Sequence, residues 1–251
     1  MWPTSTSEAP LARAAFLDLL VAALALVFAN LLLVIPVYVV AVAMAGGDPA
    51  AIDIDALTRA WFPQIVAATV FATLLAGVLA WWLRARRLPS LVADPATRAY
   101  AFAIGAGVLI QLVCTGIALA AEAGGTPIAP SNTDPLQEAA RRMPWLAWGL
   151  IVIVAPAAEE LLFRHVLLRR FVVAGRTTLG LAITALVFAA LHEPVPGDAG
   201  VGAWAAAVAL YAAMGVGFGG VYVRTGRLGA AIAAHAACNL AALLLGAFST
   251  F

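Results

Sequence analysis

Seven apolar stretches follow one another along this chain and leave little room for anything else. A helix that crosses a bilayer needs about 20 mostly apolar residues. Stretches of that kind fall near 11–45, 61–83, 98–121, 145–172, 177–192, 201–223 and 228–248, and the first is long enough to hold an eighth span. Composition agrees: of 251 residues, 64% are hydrophobic and only 11% charged, with a mean hydropathy of +1.00. A soluble domain carries about 25% charged residues, and too little polar surface remains here to coat one. A soluble enzyme, a nucleic-acid binder and a disordered regulator are thereby excluded. The expected fold is all-α, a polytopic bundle of seven membrane helices with room for an eighth. The net charge of +1 points to no partner.

Arginine placement orients the bundle. All fourteen basic residues are arginine, a bias that, with the abundant alanine, fits a GC-rich source and a bacterial plasma membrane. Cytoplasmic loops carry the excess of basic residues. With the N-terminus cytoplasmic, Arg84, Arg86, Arg87 and Arg98 fall inside, as do Arg169, Arg170 and Arg176, and then Arg224 and Arg227. Asp48, Asp53 and Asp55 with Arg59 fall outside, as do Glu122, Asp134, Glu138, Glu193 and Asp198, and the C-terminus is extracytoplasmic. The pair Arg141-Arg142 dissents. Trp61, Trp81, Trp82, Trp145, Trp148 and Trp204 lie near span ends, as interfacial aromatics do. The first stretch exceeds the roughly 7–15 apolar residues of a signal peptide. Although it ends Ala43-Met44-Ala45, it reads as an uncleaved anchor, with a kink expected at Pro36. The polar segment Ala123 to Met143 reads as an extracytoplasmic loop with one short helix. Cys114 and Cys238 sit in apolar stretches and read as small core residues.

Ionisable groups inside spans are costly and point to function by default. In the first three spans they are few. Asp18, near the inner end and within reach of headgroups, Asn30 and Gln111 read as helix–helix hydrogen-bonding groups. The second half is different. The fourth span carries Glu159-Glu160-Leu161-Leu162-Phe163-Arg164. Glu160 and Arg164 are four apart and can pair on one helix face. Glu159 points about 100° away and needs a partner from another helix. The fifth span ends Phe188-Ala189-Ala190-Leu191-His192, and the seventh carries His235-Ala236-Ala237-Cys238-Asn239. The null case is an ion-paired structural cluster, but two histidines, an asparagine and an unpaired glutamate on three helices weaken it. His165, beside the cytoplasmic interface, reads as a surface or supporting residue.

Glu159-Glu160-x-x-x-Arg164, then Phe188-x-x-x-His192, then His235-x-x-x-Asn239 resembles the CPBP family, also called Abi, of intramembrane proteases that includes the type II CAAX prenyl endopeptidases. The segment Val223-Arg224-Thr225-Gly226-Arg227-Leu228 is also similar to that family's sequence before its last helix. The resemblance covers roughly 145–245. It divides the chain into an N-terminal three-helix membrane region, 1–143, and a catalytic membrane core, 144–251, within one integrated bundle.

The resemblance implies peptide hydrolysis on a membrane-associated peptide or protein tail, and the residue chemistry suits it. A carboxyl group in a low-dielectric setting can take and return protons near neutral pH. Glu159, assisted by His192, would activate water, and His235 with Asn239 would donate to the oxyanion. Arg164 and Phe188 would support the site. Glu160 would hold the fourth helix or share the catalytic role; the sequence does not separate the two glutamates. A zinc site competes, because Glu159, His192 and His235 form a ligand set of catalytic type. The zinc-protease motif HExxH is absent, however, since His192-Glu193 runs on to Pro194 and Pro196. The favoured reading has no metal or other cofactor. Its partners are the bilayer and the peptide substrate, with no nucleic acid.

Counting 1.5 Å per residue, Glu159 and His235 fall roughly 10 Å from the cytoplasmic edge and His192 about 20 Å. Tilt, or a fifth helix starting deeper in the cytoplasm, must close that gap. The same count puts the site in the cytoplasmic half, suiting a substrate that enters from the cytoplasm or the membrane plane. Gly215-x-Gly217-x-Gly219-Gly220 imitates a dinucleotide fingerprint but lies inside an apolar span, where close helix packing explains it. The alternatives to a protease are a non-catalytic membrane scaffold or bacteriocin self-immunity protein, and a small transporter. The transporter is disfavoured by the lack of an internal repeat.

Overall fold

Glycine, proline and long apolar runs divide the chain into eight helices among the described residues. The computed structural model describes residues 8–46, 52–128, 130, 141, 143–196 and 200–248. Asp48, Asp134, Glu138, Arg142, Asp198 and the stretch 131–140, where a short loop helix is expected, lie outside the described residues. Helix α1 is Glu8–Ala45, α2 is Ile54–Ala60, and α3 is Phe62–Ala80 carried on by a wider π turn, Trp81–Ala85. Helix α4 is Ala96–Ala123, and α5 is a continuous helical run over 144–173. Helices α6, α7 and α8 are Thr177–His192, Gly200–Thr225 and Leu228–Phe248.

Among the described residues, five segments are long and apolar enough to cross a membrane: Pro10–Ala45, Phe62–Ala85, Ala96–Ala123, Gly200–Thr225 and Leu228–Gly246. The other two expected spans differ for physical reasons. Helix α5 carries Glu159, Glu160 and Arg164. Helix α6 has 16 residues, about 24 Å at 1.5 Å each, against a hydrocarbon core of about 30 Å. The first apolar stretch forms one helix with Pro36 inside it.

Helix α5 is the centre of the bundle. Leu162, Phe163, Val166 and Leu167 pack with Ala22 of α1, Ala80 of α3, Phe188 of α6 and Tyr211 of α7. Around it the other helices pair through small residues. A Cβ on Gly107 of α4 would collide with the Ala234 backbone of α8, so glycine sets that close crossing. The glycine run of α7 does similar work: Gly215 lies against Ala185, Gly217 against Ile110 and Gly219 against Leu181. Its packing role is as expected from the sequence.

One end of the bundle is tied by arginines. Asp18 of α1, buried, pairs with Arg84 at 2.8 Å and with Arg170. It therefore bonds protein, not headgroups. Arg169 donates to the Ala85 carbonyl at 2.5 Å. Arg224 pairs with Asp94 at 2.5 Å, and the Asp94 carbonyl accepts from Arg227 at 2.6 Å. Gly226, at φ 65°, makes the turn beneath α7 and α8, and a Cβ there would strike the Val92 carbonyl. Gln111 donates to Thr115 at 3.1 Å and accepts from the Cys238 thiol at 3.5 Å, linking α4 to α8. Asn30 departs from the expected helix–helix role, since its amide returns to the Leu26 carbonyl of its own helix at 2.8 Å. Both cysteines are free and buried.

Candidate active site

Proline shapes the backbone under the site. In an α-helix the Val152 carbonyl would accept from residue 156, but Pro156 has no N–H. The chain widens into π turns at Gly149–Val154, and the Ala155 N–H bonds the Leu150 carbonyl. The Ile151 carbonyl, whose π partner would again be Pro156, is left without a helical donor. The Asn239 side-chain amide fills that vacancy, donating to the Ile151 oxygen at 2.9 Å. A second π stretch, Leu161–Leu168, begins immediately after the glutamates. Wide turns of this kind are frequent at functional sites.

The two glutamates have different surroundings. Glu160 is fully buried, with one oxygen 2.9 Å from Arg164 Nε and the other accepting from His235 Nδ1 at 3.0 Å. The Arg164 guanidinium is also fully buried and lies 5.4 Å from the Phe188 ring centre and 5.7 Å from that of Phe163, within cation–π range. Its N–H groups do not point squarely at an acceptor among the described residues, so the pair is held by charge more than by hydrogen-bond direction. Glu159 instead keeps a side chain 20% exposed and faces a cavity of about 660 Å³. Its Oε2 has no hydrogen-bond partner among the described residues.

Two imidazoles look at that oxygen. His192 Nε2 is 3.8 Å away and His235 Nε2 is 4.0 Å away. Both distances are too long for a direct hydrogen bond. The opposite nitrogens are committed. His192 Nδ1 donates to the Phe188 carbonyl at 2.9 Å, since a carbonyl can only accept, and His235 Nδ1 serves Glu160. Both Nε2 atoms therefore face Glu159. Tetrahedral zinc would hold such ligand atoms about 3.3 Å apart, closer than they lie. No group of three or more His, Cys, Asp or Glu side chains among the described residues is disposed to hold a metal ion.

Aromatic rings fix both imidazoles. His192 stacks on Tyr211 with centroids 4.5 Å apart and lies 4.2 Å from the Phe188 ring. His235 stacks on Phe218 at 4.4 Å and 14°. Tyr211 and Phe218 were invisible to sequence reasoning, because an aromatic residue in an apolar span carries no signal until its neighbours are known. Phe188 meets His192 twice, through its ring and through its backbone carbonyl. His165 meets the Tyr222 hydroxyl at 3.2 Å, on the arginine side of the site.

Glu159, His192, His235 and Asn239 all line the one cavity, so the depth gap of the straight-helix count is closed. Glu159 stands midway along α5, and His192, the last residue of α6, lies beside it at 3.8 Å. The cavity runs toward the end of the bundle opposite the arginine ties, reaching Glu122, Pro127, Pro130 and Gly246. Straight-helix arithmetic missed this because it fixes only the level of a residue, not the side on which helices part.

Residues 141–241 match the family model described as type II CAAX prenyl endopeptidase Rce1-like. The matched segment holds all three motifs, and this is the family that they resemble. The match spans about two-fifths of the chain and shows that this segment is similar to that family; the apolar helices show an integral membrane protein. No curated protein and no solved structure matches the chain.

Proposed function

We propose that this protein hydrolyses a peptide bond of a membrane-associated peptide or protein tail, using a metal-independent glutamate/histidine mechanism. The observation that carries this reading is the Glu159 carboxylate, which lines the cavity with its side chain 20% exposed and whose buried Oε2, without a hydrogen bond among the described residues, has two imidazole Nε2 atoms within 4.0 Å. A carboxylate buried that way is costly unless something enters to satisfy it.

In the proposed step, water sits between Glu159 and the imidazoles. Glu159 takes one proton while the water oxygen bonds the scissile carbonyl carbon. His192 Nε2 accepts from the same water and orients it. The negative charge that develops on the carbonyl oxygen is met by a donor at His235 Nε2, the ring being steadied at Nδ1 by Glu160, and by the second N–H of the Asn239 amide. The C–N bond then breaks, and Glu159 returns its proton to the leaving amine. Glu160 and Arg164 hold His235 and α5 in place and do not touch substrate. The segment 144–251 supplies this chemistry, while α3 and α4 complete the cavity wall through Val66, Val70 and Thr115.

The test is cleavage of a fluorogenic peptide library by purified protein in detergent, run in water enriched in ¹⁸O. The proposal expects one ¹⁸O in each new carboxyl terminus and no cleavage by Glu159→Gln. Cleavage that persists in that variant removes Glu159 as the base. A wild-type protein that binds peptides and cuts none returns the scaffold reading.

A further inference from the structure

The cavity and the arginines lie at opposite ends of the bundle, and together they say from which side a substrate arrives. The three arginine-bearing turns are physically joined: Arg84 and Arg170 meet on Asp18, and Arg224 and Arg227 meet on Asp94. By the positive-inside rule that joined end is cytoplasmic. The cavity lining extends from Glu159 the other way, along α4 to Glu122 and along α8 to Gly246. We infer that the site takes its substrate from the extracytoplasmic face, as a short, extended, apolar stretch of an exported peptide or protein tail. This rests on the endopeptidase reading above, but the direction of access can be tested without it.

The dimensions and lining specify the occupant. From Asn239 to Gly246 is seven residues of helix, about 10 Å, and from Gln111 to Glu122 eleven residues, about 16 Å. At about 3.3 Å per extended residue, three to five residues of substrate fit between the mouth and Glu159. The walls between are Val66, Val70, Leu119, Leu210 and Leu243, so apolar side chains are accommodated. Gln111 and Thr115 supply the polar atoms that substrate backbone groups need at mid-depth. At the mouth stand Glu122 and Arg141, where a more polar part of the chain would emerge. A cytoplasmic tail would have to pass the arginine end, where Asp18, Arg84, Arg169 and Arg170 close the helices on one another.

Cys114 offers a probe already in the chain, because it lines this cavity while Cys238 does not. Intact cells and inverted membrane vesicles would be treated with a charged, membrane-impermeant methanethiosulfonate, and the modified residue located by mass spectrometry. Thr126→Cys, at the mouth end, and Arg86→Cys, at the arginine end, serve as second probes should the reagent not reach Cys114. In parallel, quenched-fluorescent peptides with apolar stretches would be offered to right-side-out and to inverted vesicles. Labelling of Cys114 or Thr126→Cys in intact cells, labelling of Arg86→Cys only in inverted vesicles, and cleavage at least tenfold faster in right-side-out vesicles are expected. The reverse labelling pattern, or cleavage confined to inverted vesicles, overturns the inference and leaves the protease reading standing. Outside labelling with no cleavage in either vesicle or in detergent overturns the protease reading, and with it the assignment of a substrate, while the outward opening survives.

Discussion

Asp18 and Glu159 are both carboxylates set in apolar helices, and their surroundings could hardly differ more. Asp18 is saturated: two arginines from α3 and α5 close on it, and it lines no part of the cavity. Glu159 is loosely held: its charge partners are imidazoles at 3.8 and 4.0 Å, and a cavity opens beside it. Glu160, one residue on, belongs with Asp18, because Arg164 and His235 take both its oxygens. A charge in a membrane helix is thus not a functional sign by itself. What separates a tie from a reactive group is whether neighbours or the cavity complete it.

That contrast can be broken by substitution. The largest effect is expected at Glu159→Gln, where peptide cleavage should fall by about 10²–10⁴-fold, the usual range for general acid–base groups, while the melting temperature stays near wild type. Comparable loss of stability and activity would put Glu159 with the structural ties. Arg164→Ala should act the other way, destabilising by about 3–5 kcal/mol because it strands Glu160 fully buried. An unchanged thermal midpoint in detergent would refute that pairing. Asp18→Ala should cost less, about 1–3 kcal/mol, because the two arginines it releases are partly exposed and can turn toward water or headgroups. Activity per folded molecule should survive it. Tyr211→Leu removes the plate under His192 and should lower kcat about 2–10-fold with little change in KM, since aromatic stacking contributes about 0.5–1.5 kcal/mol. A change confined to KM would instead mark Tyr211 as a wall of the substrate cavity. The smallest effect expected is none: a chelator should leave turnover unaltered, and inhibition relieved by added zinc would reinstate a metal at Glu159, His192 and His235.

The sequence carried the membrane bundle and the four polar residues that gather around the cavity because both are written in side-chain chemistry. Runs of apolar residues need lipid, and Glu159, His192, His235 and Asn239 stand out as polar atoms within such runs. It could not tell Glu159 from Glu160. The difference lies in partners supplied from α8 and from one turn further along α5, where His235 and Arg164 take Glu160. Nor could it pair Asp18 with Arg84 and Arg170, 66 and 152 residues away. Tyr211 and Phe218 became supporting residues only once rings were seen to stack on imidazoles. The direction of the cavity follows from where helices part, a property of packing that no helix carries in its own sequence.

The account turns on Glu159 acting where Asp18 only ties. The most direct measurement is peptide cleavage by purified Glu159→Gln beside Asp18→Asn, each normalised to its folded fraction. The account predicts no cleavage above background from a well-folded Glu159→Gln, and near wild-type cleavage per folded molecule from Asp18→Asn. Near wild-type turnover by Glu159→Gln would contradict it.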